Sequence, residues 1–302
     1  MYNEFLNELK EKIDAEWVRE NEPMKLHTTF RVGGPADVFV TPDAESLPVV
    51  IALCKKHHLP YHIIGNGSNL LVGDKGIKGV VIAVTNRMGD ILCEGDVITA
   101  GAGCTLAQIA VLAAGNGLTG FEFAAGIPGT LGGAVVMNAG AYGGEMKDVI
   151  VSAMVLDAEG NEKELSVEEL DLSYRHSCIT ENGYIVLRVT IKLERGDMEA
   201  IRTKMAELRE QRITKQPLEY PSAGSTFKRP TGYFAGKLIM DAGLRGYQVG
   251  GAQVAEKHCG FVINKDNATA ADIIQLMQDV SAKVEEQFGV TLEPEVKIIG
   301  EF

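Results

Sequence analysis

Two glycine-rich segments constrain this chain more than any other feature of its sequence. The first, "YHIIGNGSNLLVGD", covers residues 61–74, and the second, "GIPGTLGGAVVMNAGAYGG", covers residues 126–144. Glycine lets the backbone approach another group closely, and lets successive amide groups point at an anion such as phosphate. A tight turn or close core packing explains one such segment equally well. Two of them in one chain favour an extended ligand that has a diphosphate and flat rings.

The familiar nucleotide-binding motifs do not fit these segments. A dinucleotide fingerprint needs a third glycine three residues after Gly67, and Leu70 stands there. A Walker loop and a G-x-S-x-G nucleophile elbow do not occur in the sequence either. We therefore expect a nest of successive amide groups, supported by the side chains of Ser68 and of Asn66 or Asn69.

Composition limits the partners and the compartment. The net charge is −12, and no basic cluster is interleaved with aromatic residues, so a nucleic-acid partner is not expected. The five cysteines are widely spaced without a C-x-x-C pair, which indicates reduced thiols. Adjacent histidines, His57 and His58, favour a solvated helix end over a metal site. The sequence shows no signal-peptide core and no convincing membrane helix, so we expect a cytoplasmic protein without a metal.

Alternating helix and strand patterns predict an α+β or mixed α/β architecture. Helices are expected over 2–20, 44–60, 105–117, 196–216 and 267–289, and strands over 78–85, 96–103, 149–157 and 184–193. Thr105 and Gln108 have the spacing of a capping box, and Gly115 is the expected end of that helix. One face of the last helix is expected to comprise Ile273, Ile274, Met277, Val284 and Phe288, and Gly289 to end it.

At the glycine-rich segments and at four further motifs, the chain resembles the UDP-N-acetylenolpyruvoylglucosamine reductase family. In family order the motifs are "HTTFRVGGPAD" (27–37), "IIGNGSNLLV" (63–72), "FEFAAGIPGTLGGAVVMNAGAYGG" (121–144), "SYRHS" (173–177), "SAGSTFKRP" (222–230) and "LEPEVK" (292–297). The resemblance covers nearly the whole chain, and six motifs in series are highly specific.

The resemblance implies a fold and a domain division. The fold is the FAD-binding fold of the vanillyl-alcohol-oxidase type, with two α/β subdomains, plus a C-terminal α+β substrate domain. The implied ranges are 1–84 for FAD-binding subdomain 1, with strand 296–302 returning to it, 85–215 for subdomain 2, and 216–295 for the substrate domain. The segment between Ser225 and Gly250 is short, so the chain resembles the shorter form of the family, which lacks a tyrosine-bearing loop there.

The implied activity is the NADPH-dependent reduction of UDP-N-acetylglucosamine enolpyruvyl ether to UDP-N-acetylmuramate in bacterial peptidoglycan precursor synthesis. FAD is held without a covalent link, and no obligatory protein partner is implied. The residues that match the family's cofactor contacts are Thr29, Arg31, Gly33, Gly65, Asn66, Gly67, Ser68, Asn69, Leu70, Gly126, Ile127, Pro128, Gly129, Thr130, Gly132, Gly133, Ala134, Asn138, Ala139 and Gly140.

Three residues match the reactive positions of the family. The reaction needs a hydride at the terminal carbon, stabilisation of negative charge on the carboxylate, and a proton at the neighbouring carbon. Arg175 suits the carboxylate, and a protonated Glu295 can hydrogen-bond the same centre. Ser225 matches the family's proton donor. Without the resemblance, an ion pair, a solvated turn or a turn hydrogen bond would explain these residues, and Glu293 competes with Glu295.

Five residues match the family's substrate contacts: Tyr174, Lys215, Lys228, Arg229 and His258. His258 stands where the family often has glutamine, and Arg229 where other members have asparagine, so the contacts to the substrate diphosphate stay open. Two other functions remain as alternatives. One is an FAD-dependent alcohol or sugar oxidase of the same fold, and the other is a flavin-binding or nucleotide-sugar-binding protein without turnover.

Overall fold

A computed structural model describes residues 2–302 of the chain. Its helices are α1 (Tyr2–Lys12), α2 (Leu47–Lys56), α3 (Leu106–Gly115), α4 (Leu131–Val136), α5 (Val167–Leu170), α6 (Cys178–Glu181), α7 (Met198–Lys215), α8 (Ala235–Asp241) and α9 (Ala270–Phe288). Its strands are β1 (Val18–Pro23), β2 (Pro35–Val40), β3 (Tyr61–Ile64), β4 (Leu70–Val72), β5 (Ile77–Ala83), β6 (Ile91–Glu94), β7 (Val97–Gly101), β8 (Leu118–Thr119), β9 (Gly140–Ala141), β10 (Gly144–Glu145), β11 (Ile150–Leu156), β12 (Glu162–Ser166), β13 (Ile185–Lys192), β14 (Glu194–Arg195), β15 (Gln248–Val249), β16 (Ala252–Val254), β17 (Val262–Asn264) and β18 (Lys297–Ile299).

The chain forms two compact units whose residues alternate along the sequence. The first unit contains the residues up to Arg19, 39–66 and 80–212, and the second contains 20–38, 67–79 and 213–302. The expected domain boundaries after residues 84 and 215 divide the chain differently and stay predictions.

A four-stranded sheet has the strand order β1-β2-β5-β3. Strands β3 and β5 are parallel, with Tyr61 opposite Val80, and α2 lies between β2 and β3 in the chain. Residues 79–83 of β5 are all buried. A continuous apolar run of this kind is typical of a strand that is covered on both faces.

The first unit contains an antiparallel five-stranded sheet of order β12-β11-β13-β7-β6. Beyond β7 the chain turns into α3, whose capping box of Thr105 and Gln108 is confirmed. The start of α4 is attached to this turn, since the Leu131 amide donates to the Cys104 carbonyl at 2.8 Å and the Gly132 amide to the Ala102 carbonyl at 2.9 Å. The end of β7 therefore positions the second glycine-rich segment.

The second unit contains an antiparallel sheet of order β15-β16-β17, and α9 packs its apolar face into the same core. Ile273, Leu276, Val280 and Val284 of α9 are completely buried there. Strand β18 pairs in parallel with β4, with Lys297 opposite Leu70. The end of the chain is thus bound to the strand that follows the first glycine-rich segment.

The helix expected over 2–20 is wrong beyond Lys12. The side chain of Asp14 accepts the Glu16 amide at 2.9 Å and starts a separate 3-10 turn, after which β1 begins at Val18. Aspartate competes for backbone amides in this way and favours caps and turns over helix interiors. Gly115 is the last helical residue of α3, and Asn116 is its C-cap.

Two local expectations are corrected by packing. His57 is not a solvated helix end: its Nε2 lies 2.9 Å from Glu8 Oε2, and its ring meets Phe5 edge-on at 5.8 Å. The contact fastens α2 to α1 within the first unit. In α9, Phe288 is 38% exposed, because the buried face ends at Val284.

Two glycine substitutions should change stability in opposite directions. Gly289 caps α9 with a φ of +64° and has open space around its missing Cβ, so Gly289→Ala should lower the free energy of unfolding by about 1 kcal/mol through backbone strain alone. Gly115→Ala, also in open space but within α3, should raise it by up to about 1 kcal/mol. Urea unfolding of both variants tests this, and equal effects would contradict the assigned conformations.

Candidate functional site

The two glycine-rich segments meet within the first unit. A Cβ atom on Gly65 would overlap the Oγ1 of Thr130, and the Asn66 side-chain amide donates to the Pro128 carbonyl at 3.4 Å. Thr130 in turn caps α4 by accepting the Gly133 amide at 3.4 Å. Glycine at position 65 is therefore required by the approach of the second segment. The structure brings the two segments together, as one extended ligand would require.

The surface that a ligand can reach consists of only part of these segments. Asn66, Gly126, Pro128 and Gly133 are exposed, and Gly65, Ile127 and Gly129 are partly buried. The predicted cofactor residues Thr130, Gly132, Ala134, Asn138 and Ala139 are buried. Gly33, Gly132 and Gly140 have close protein neighbours of their own. Close packing within the protein is therefore enough to require glycine at these three positions, apart from any ligand contact.

Arg212 lies beside this surface and was not expected from the sequence. A Cβ atom on Gly126 would lie 3.2 Å from Arg212 Nη1, so the guanidinium lies directly beside that exposed glycine. Burial lowers the pKa of Arg212 below its ordinary value of 12.5. Helix α7 is charged on all sides, so no periodic pattern distinguishes this arginine from its neighbours.

Asn138 uses its side-chain amide entirely within the protein. It is completely buried, and its Oδ1 accepts the Lys147 amide at 2.9 Å. Its Nδ2 donates to Glu145 Oε2 at 2.8 Å and to the Ser173 carbonyl at 3.1 Å. The predicted cofactor contact of Asn138 stays a prediction that these side-chain bonds do not support.

Arg175 is carried by a tight turn of the first unit. The backbones of Ser173 and His176 exchange two hydrogen bonds of 3.2 Å across this turn. Arg175 has a φ of +56°, a left-handed conformation that non-glycine residues seldom adopt. Its guanidinium carbon lies 5.1 Å from the ring centre of Tyr174, which is 51% exposed. Backbone strain of this kind is concentrated at functional sites.

In the second unit, the segment around Thr29 lies against the first glycine loop. The Thr29 amide donates to the Gly67 carbonyl at 3.2 Å, and a Cβ atom on Gly67 would overlap the His27 carbonyl. The buried Oγ1 of Thr29 has no hydrogen-bond partner among residues 2–302. A buried hydroxyl is normally bonded, so this atom indicates a partner from outside the chain. Arg31 is exposed, with a φ of +54°.

Ser225 and Glu295 lie on neighbouring segments of the second unit. The Glu295 amide donates to the Thr226 carbonyl at 2.8 Å, and the Thr226 amide donates to the Gly260 carbonyl at 2.9 Å. The Oγ1 of Thr226, a residue without exposed surface, accepts the Val262 amide at 2.9 Å. Thr226 thus fixes both segments, while the Ser225 side chain is exposed and Glu295 is partly buried.

Asn69 connects the first glycine loop to Glu295. Its Nδ2 donates to the Glu295 carbonyl at 3.1 Å, and its own carbonyl accepts the Lys297 amide at 2.9 Å. This bonding extends the pairing of β4 with β18. The predicted roles of Asn69 and Glu295 are therefore linked through the backbone of the second unit, whereas Arg175 belongs to the first.

The predicted substrate residues differ in their surroundings. Lys228 is paired with Glu293, the competitor of Glu295, at 3.2 Å. The guanidinium carbon of Arg229 lies 3.9 Å from the ring centre of Phe234, which is 60% exposed. Lys215 is the last residue of α7 and is exposed.

His258 is held in a neutral form. Its Nδ1 accepts the Gly260 amide at 3.1 Å, which requires an unprotonated nitrogen, and its ring meets Phe261 edge-on at 5.0 Å. Desolvation by the surrounding protein lowers the pKa of His258 below its ordinary value of 6.5, although the residue keeps exposed surface. The remaining nitrogen, Nε2, therefore carries the proton and can donate a hydrogen bond.

A cavity of about 460 Å³ in the second unit is lined by other residues: Pro217, Glu219, Tyr220, Arg245, Gln253, Ala255, Glu256, Lys257, Ile263 and Lys265. Its cations already have protein partners, since Lys265 bonds Tyr220, Lys257 pairs with Glu219, and Arg245 bonds the Glu256 carbonyl. None of the predicted site residues lines it, and it is not a prepared anion site.

Several site types are missing from the described part of the chain. Residues 2–302 contain no group of histidine, cysteine, aspartate and glutamate that could hold a metal ion. No helix in this range is long and apolar enough to cross a bilayer. The five cysteines are free thiols.

Two protein-family models match this chain, one in its N-terminal part and one in its C-terminal part. A family model described as the FAD binding domain matches residues 35–166. A model described as the UDP-N-acetylenolpyruvoylglucosamine reductase C-terminal domain matches residues 216–299. Proteins named UDP-N-acetylenolpyruvoylglucosamine reductase are 56% identical in Agathobacter rectalis, over the whole of both chains, and 58% identical in Lachnoclostridium phytofermentans, over all of this chain and 99% of that one.

Solved structures of similar fold include a member of the same family. The crystal structure of UDP-N-acetylenolpyruvylglucosamine reductase from Thermus caldophilus is 37% identical, with a TM-score of 0.79 over 91% of this chain and 97% of that one. An alkyldihydroxyacetonephosphate synthase, 17% identical, has a TM-score of 0.50 over 65% of this chain and 41% of its own, which shows likeness of fold alone. The predicted family resemblance and fold class are confirmed.

The lowered pKa of His258 should make the folded protein less stable in acid. The unfolded imidazole takes up a proton near its ordinary value of 6.5, while the folded one resists protonation, so the free energy of unfolding should fall as the pH drops below that value. His258→Gln should reduce this fall between about pH 7.5 and about pH 5.5, as urea midpoints would show. His62, whose pKa burial also lowers, should account for part of the remainder, and His62→Gln is the matched variant. An unchanged slope in His258→Gln would contradict the neutral imidazole.

Proposed function

The chain belongs to the UDP-N-acetylenolpyruvoylglucosamine reductase family, and from this relationship we propose that it reduces UDP-N-acetylglucosamine enolpyruvyl ether to UDP-N-acetylmuramate. FAD is its cofactor, NADPH is its reductant, and the reaction is a step of peptidoglycan precursor synthesis. The observation that carries the proposal is the full-length similarity to proteins of that name, together with intact "SYRHS", "SAGSTF" and "LEPEVK" motifs in this chain.

The residues present fit FAD. Thr29 offers a buried hydroxyl that lacks a protein partner, as a contact to a bound nucleotide would require. Asn66, Gly126 and Gly133 offer exposed polar and main-chain surface, with the half-buried Arg212 as a neighbouring cation. We propose that these residues, with the others predicted from the family, hold FAD without a covalent link.

Three side chains carry the proposed reaction. The chemistry that FAD supplies when bound is transfer of a hydride from NADPH to the terminal carbon of the enolpyruvyl group. Arg175 binds the substrate carboxylate through paired hydrogen bonds and stabilises the negative charge that develops there. Glu295, in its protonated form, donates a hydrogen bond to the same centre. Ser225 gives its hydroxyl proton to the neighbouring carbon, so one hydride and one proton are added across the double bond.

The remaining predicted residues bind the substrate. Lys215, Lys228 and Arg229 are the proposed cations for the substrate diphosphate, and Lys228 would have to leave its ion pair with Glu293 to bind there. The ring of Phe234 restricts Arg229 from one side. We propose that His258 contributes its Nε2 proton as a neutral donor, and that Tyr174 contacts the substrate beside Arg175.

The compartment and the domain roles follow from the proposed reaction. NADPH and nucleotide-sugar precursors are cytoplasmic metabolites in bacteria, and five free thiols are typical of a reducing compartment. We therefore place the protein in the bacterial cytoplasm. The predicted ranges 1–84 and 85–215 bind FAD in this proposal, and 216–295 binds the substrate.

Spectroscopy of the purified protein with added FAD tests the function. NADPH should bleach the visible absorbance of bound flavin under anaerobic conditions, and the enolpyruvyl substrate should restore it rapidly. In Ser225→Ala the bleaching by NADPH should persist, whereas restoration by substrate should slow by roughly 10²-fold, because the positioned proton donor is lost. Stopped-flow absorbance separates the two half-reactions.

The controls distinguish the alternatives. Ser222→Ala, three residues away, should leave both half-reactions unchanged. Equal slowing of both halves in Ser225→Ala would contradict the assigned role of Ser225. Rapid restoration by oxygen and none by substrate would indicate the oxidase, and bound flavin that neither NADPH nor substrate alters would indicate a binding protein.

Thr29 should affect stability and cofactor binding in opposite directions. Thr29→Val removes a buried hydroxyl without a protein partner, so the free energy of unfolding of the FAD-free protein should rise by about 1 kcal/mol while FAD binds more weakly. Thr28→Val is the matched control, because the Thr28 hydroxyl donates to the Val32 carbonyl at 2.9 Å and its loss should destabilise the protein. Urea unfolding and titration with FAD measure the two effects. Unchanged FAD affinity in Thr29→Val would remove this residue from the site.

A further inference from the structure

We propose that Asn138 and Ser177 are positioning residues that hold Arg175 in place for the substrate carboxylate. The inference rests on the proposed function and deepens it. Residues Ser173–Ser177, called here the Arg175 turn, are fastened at both ends to the C-terminal end of α4, within the first unit. The two fastening side chains are almost completely buried, with exposures of 0% for Asn138 and 2% for Ser177.

Each end is held by a single hydrogen bond. At the first end of the turn, Asn138 Nδ2 donates to the Ser173 carbonyl at 3.1 Å. At the other end, Ser177 Oγ donates to the Val136 carbonyl at 2.7 Å. Val136 is the last residue of α4, whose carbonyl has no partner within the helix and therefore needs one from elsewhere.

The Ser177 side chain does not cap its own helix. Ser177 occupies the N-cap position of α6, where a serine side chain usually accepts an amide of its own helix. Its side chain makes no such capping bond, and reaches α4 instead. Helix α6 therefore lacks a side-chain cap at Ser177. The Ser177 hydroxyl instead connects the Arg175 turn to Val136, 41 residues away in the chain.

Asn138 is itself held rigidly. The Lys147 amide is a donor only, so it fixes Oδ1 as the acceptor, and Nδ2 must then face Glu145 and Ser173. Glu145 is in turn paired with the Lys147 ammonium at 2.5 Å. The donor that reaches the Arg175 turn therefore has one orientation.

The turn needs this support because its backbone is strained. Arg175 has a φ of +56°, and such a conformation persists only when the surroundings determine it. The mutual bonds between Ser173 and His176 close the turn, but they do not set its direction relative to α4. Asn138 and Ser177 do so from the two sides. Because a carboxylate must meet both arms of a guanidinium, a shift of about 1 Å at Arg175 can lower the rate by up to about 10²-fold.

A double-mutant cycle with the FAD-loaded enzyme tests the proposal. In Ser177→Ala, reduction of the flavin by NADPH should be unchanged, and its reoxidation by the enolpyruvyl substrate should slow by about 10-fold. In the Arg175→Ala background, adding Ser177→Ala should slow reoxidation by less than about twofold, because the residue acts through Arg175. Ser152→Ala is the matched control: it removes a hydrogen bond to Glu164 of 2.7 Å in the same unit, and should change neither half-reaction.

Asn138→Asp provides an independent variant. It keeps the side-chain size and the acceptor for Lys147, loses both donor bonds and places a second carboxylate beside Glu145, so reoxidation by the substrate should slow by at least as much as in Ser177→Ala. Equal slowing of both half-reactions in Ser177→Ala, the same factor with and without Arg175, or behaviour like Ser152→Ala would each overturn the inference. A wild-type enzyme whose reduced flavin is not reoxidised by the substrate would instead overturn the proposed function.

Discussion

The close approach of Gly65 to Thr130 is the contact on which the first unit's site depends. Any side chain at position 65 would overlap the Thr130 hydroxyl and separate the two glycine-rich segments. Thr130 also caps α4, and the far end of this six-residue helix bonds the turn that carries Arg175. One short helix therefore connects the surface proposed for FAD with the arginine proposed for the substrate. Its position is fixed by backbone contacts, which tolerate little displacement.

Thr226 has the corresponding role in the second unit. Its amide, carbonyl and hydroxyl all form hydrogen bonds, and the residue is completely buried. A fully satisfied buried polar group rigidifies its surroundings, whereas a partly satisfied one would destabilise them. The Ser225 hydroxyl, the proposed proton donor, can be exposed because its neighbour Thr226 already holds the backbone in place. In both units, a buried hydroxyl residue thus orders the backbone that carries a proposed site residue.

Local signals in the sequence predicted the elements that depend on local chemistry. The capping box at Thr105 and the end of helix α9 at Gly289 follow from such signals. The end of α1 was missed because the Asp14 cap competes with helix continuation, and Phe288 was misplaced because helical periodicity does not show where the core ends. For the site, the motifs predict Arg175, Ser225 and Glu295 by residue type, and their roles stay predictions. Neither the strained φ of Arg175 nor the burial of Arg212 can be read from residue order, since both arise from tertiary contacts.

A glycine-rich segment can reflect close packing within the protein, the approach of a ligand, or both. Gly65 and Gly67 are each demanded by a neighbouring protein atom, so their presence alone does not establish a ligand. The distinguishing signal is a polar atom that the protein leaves unsatisfied. Thr28 and Thr29 are adjacent threonines, yet the Thr28 hydroxyl is bonded to Val32 and the Thr29 hydroxyl has no partner in residues 2–302. Burial of an unbonded hydroxyl is unfavourable in the folded chain alone, and a ligand that supplies the missing bond would remove that penalty.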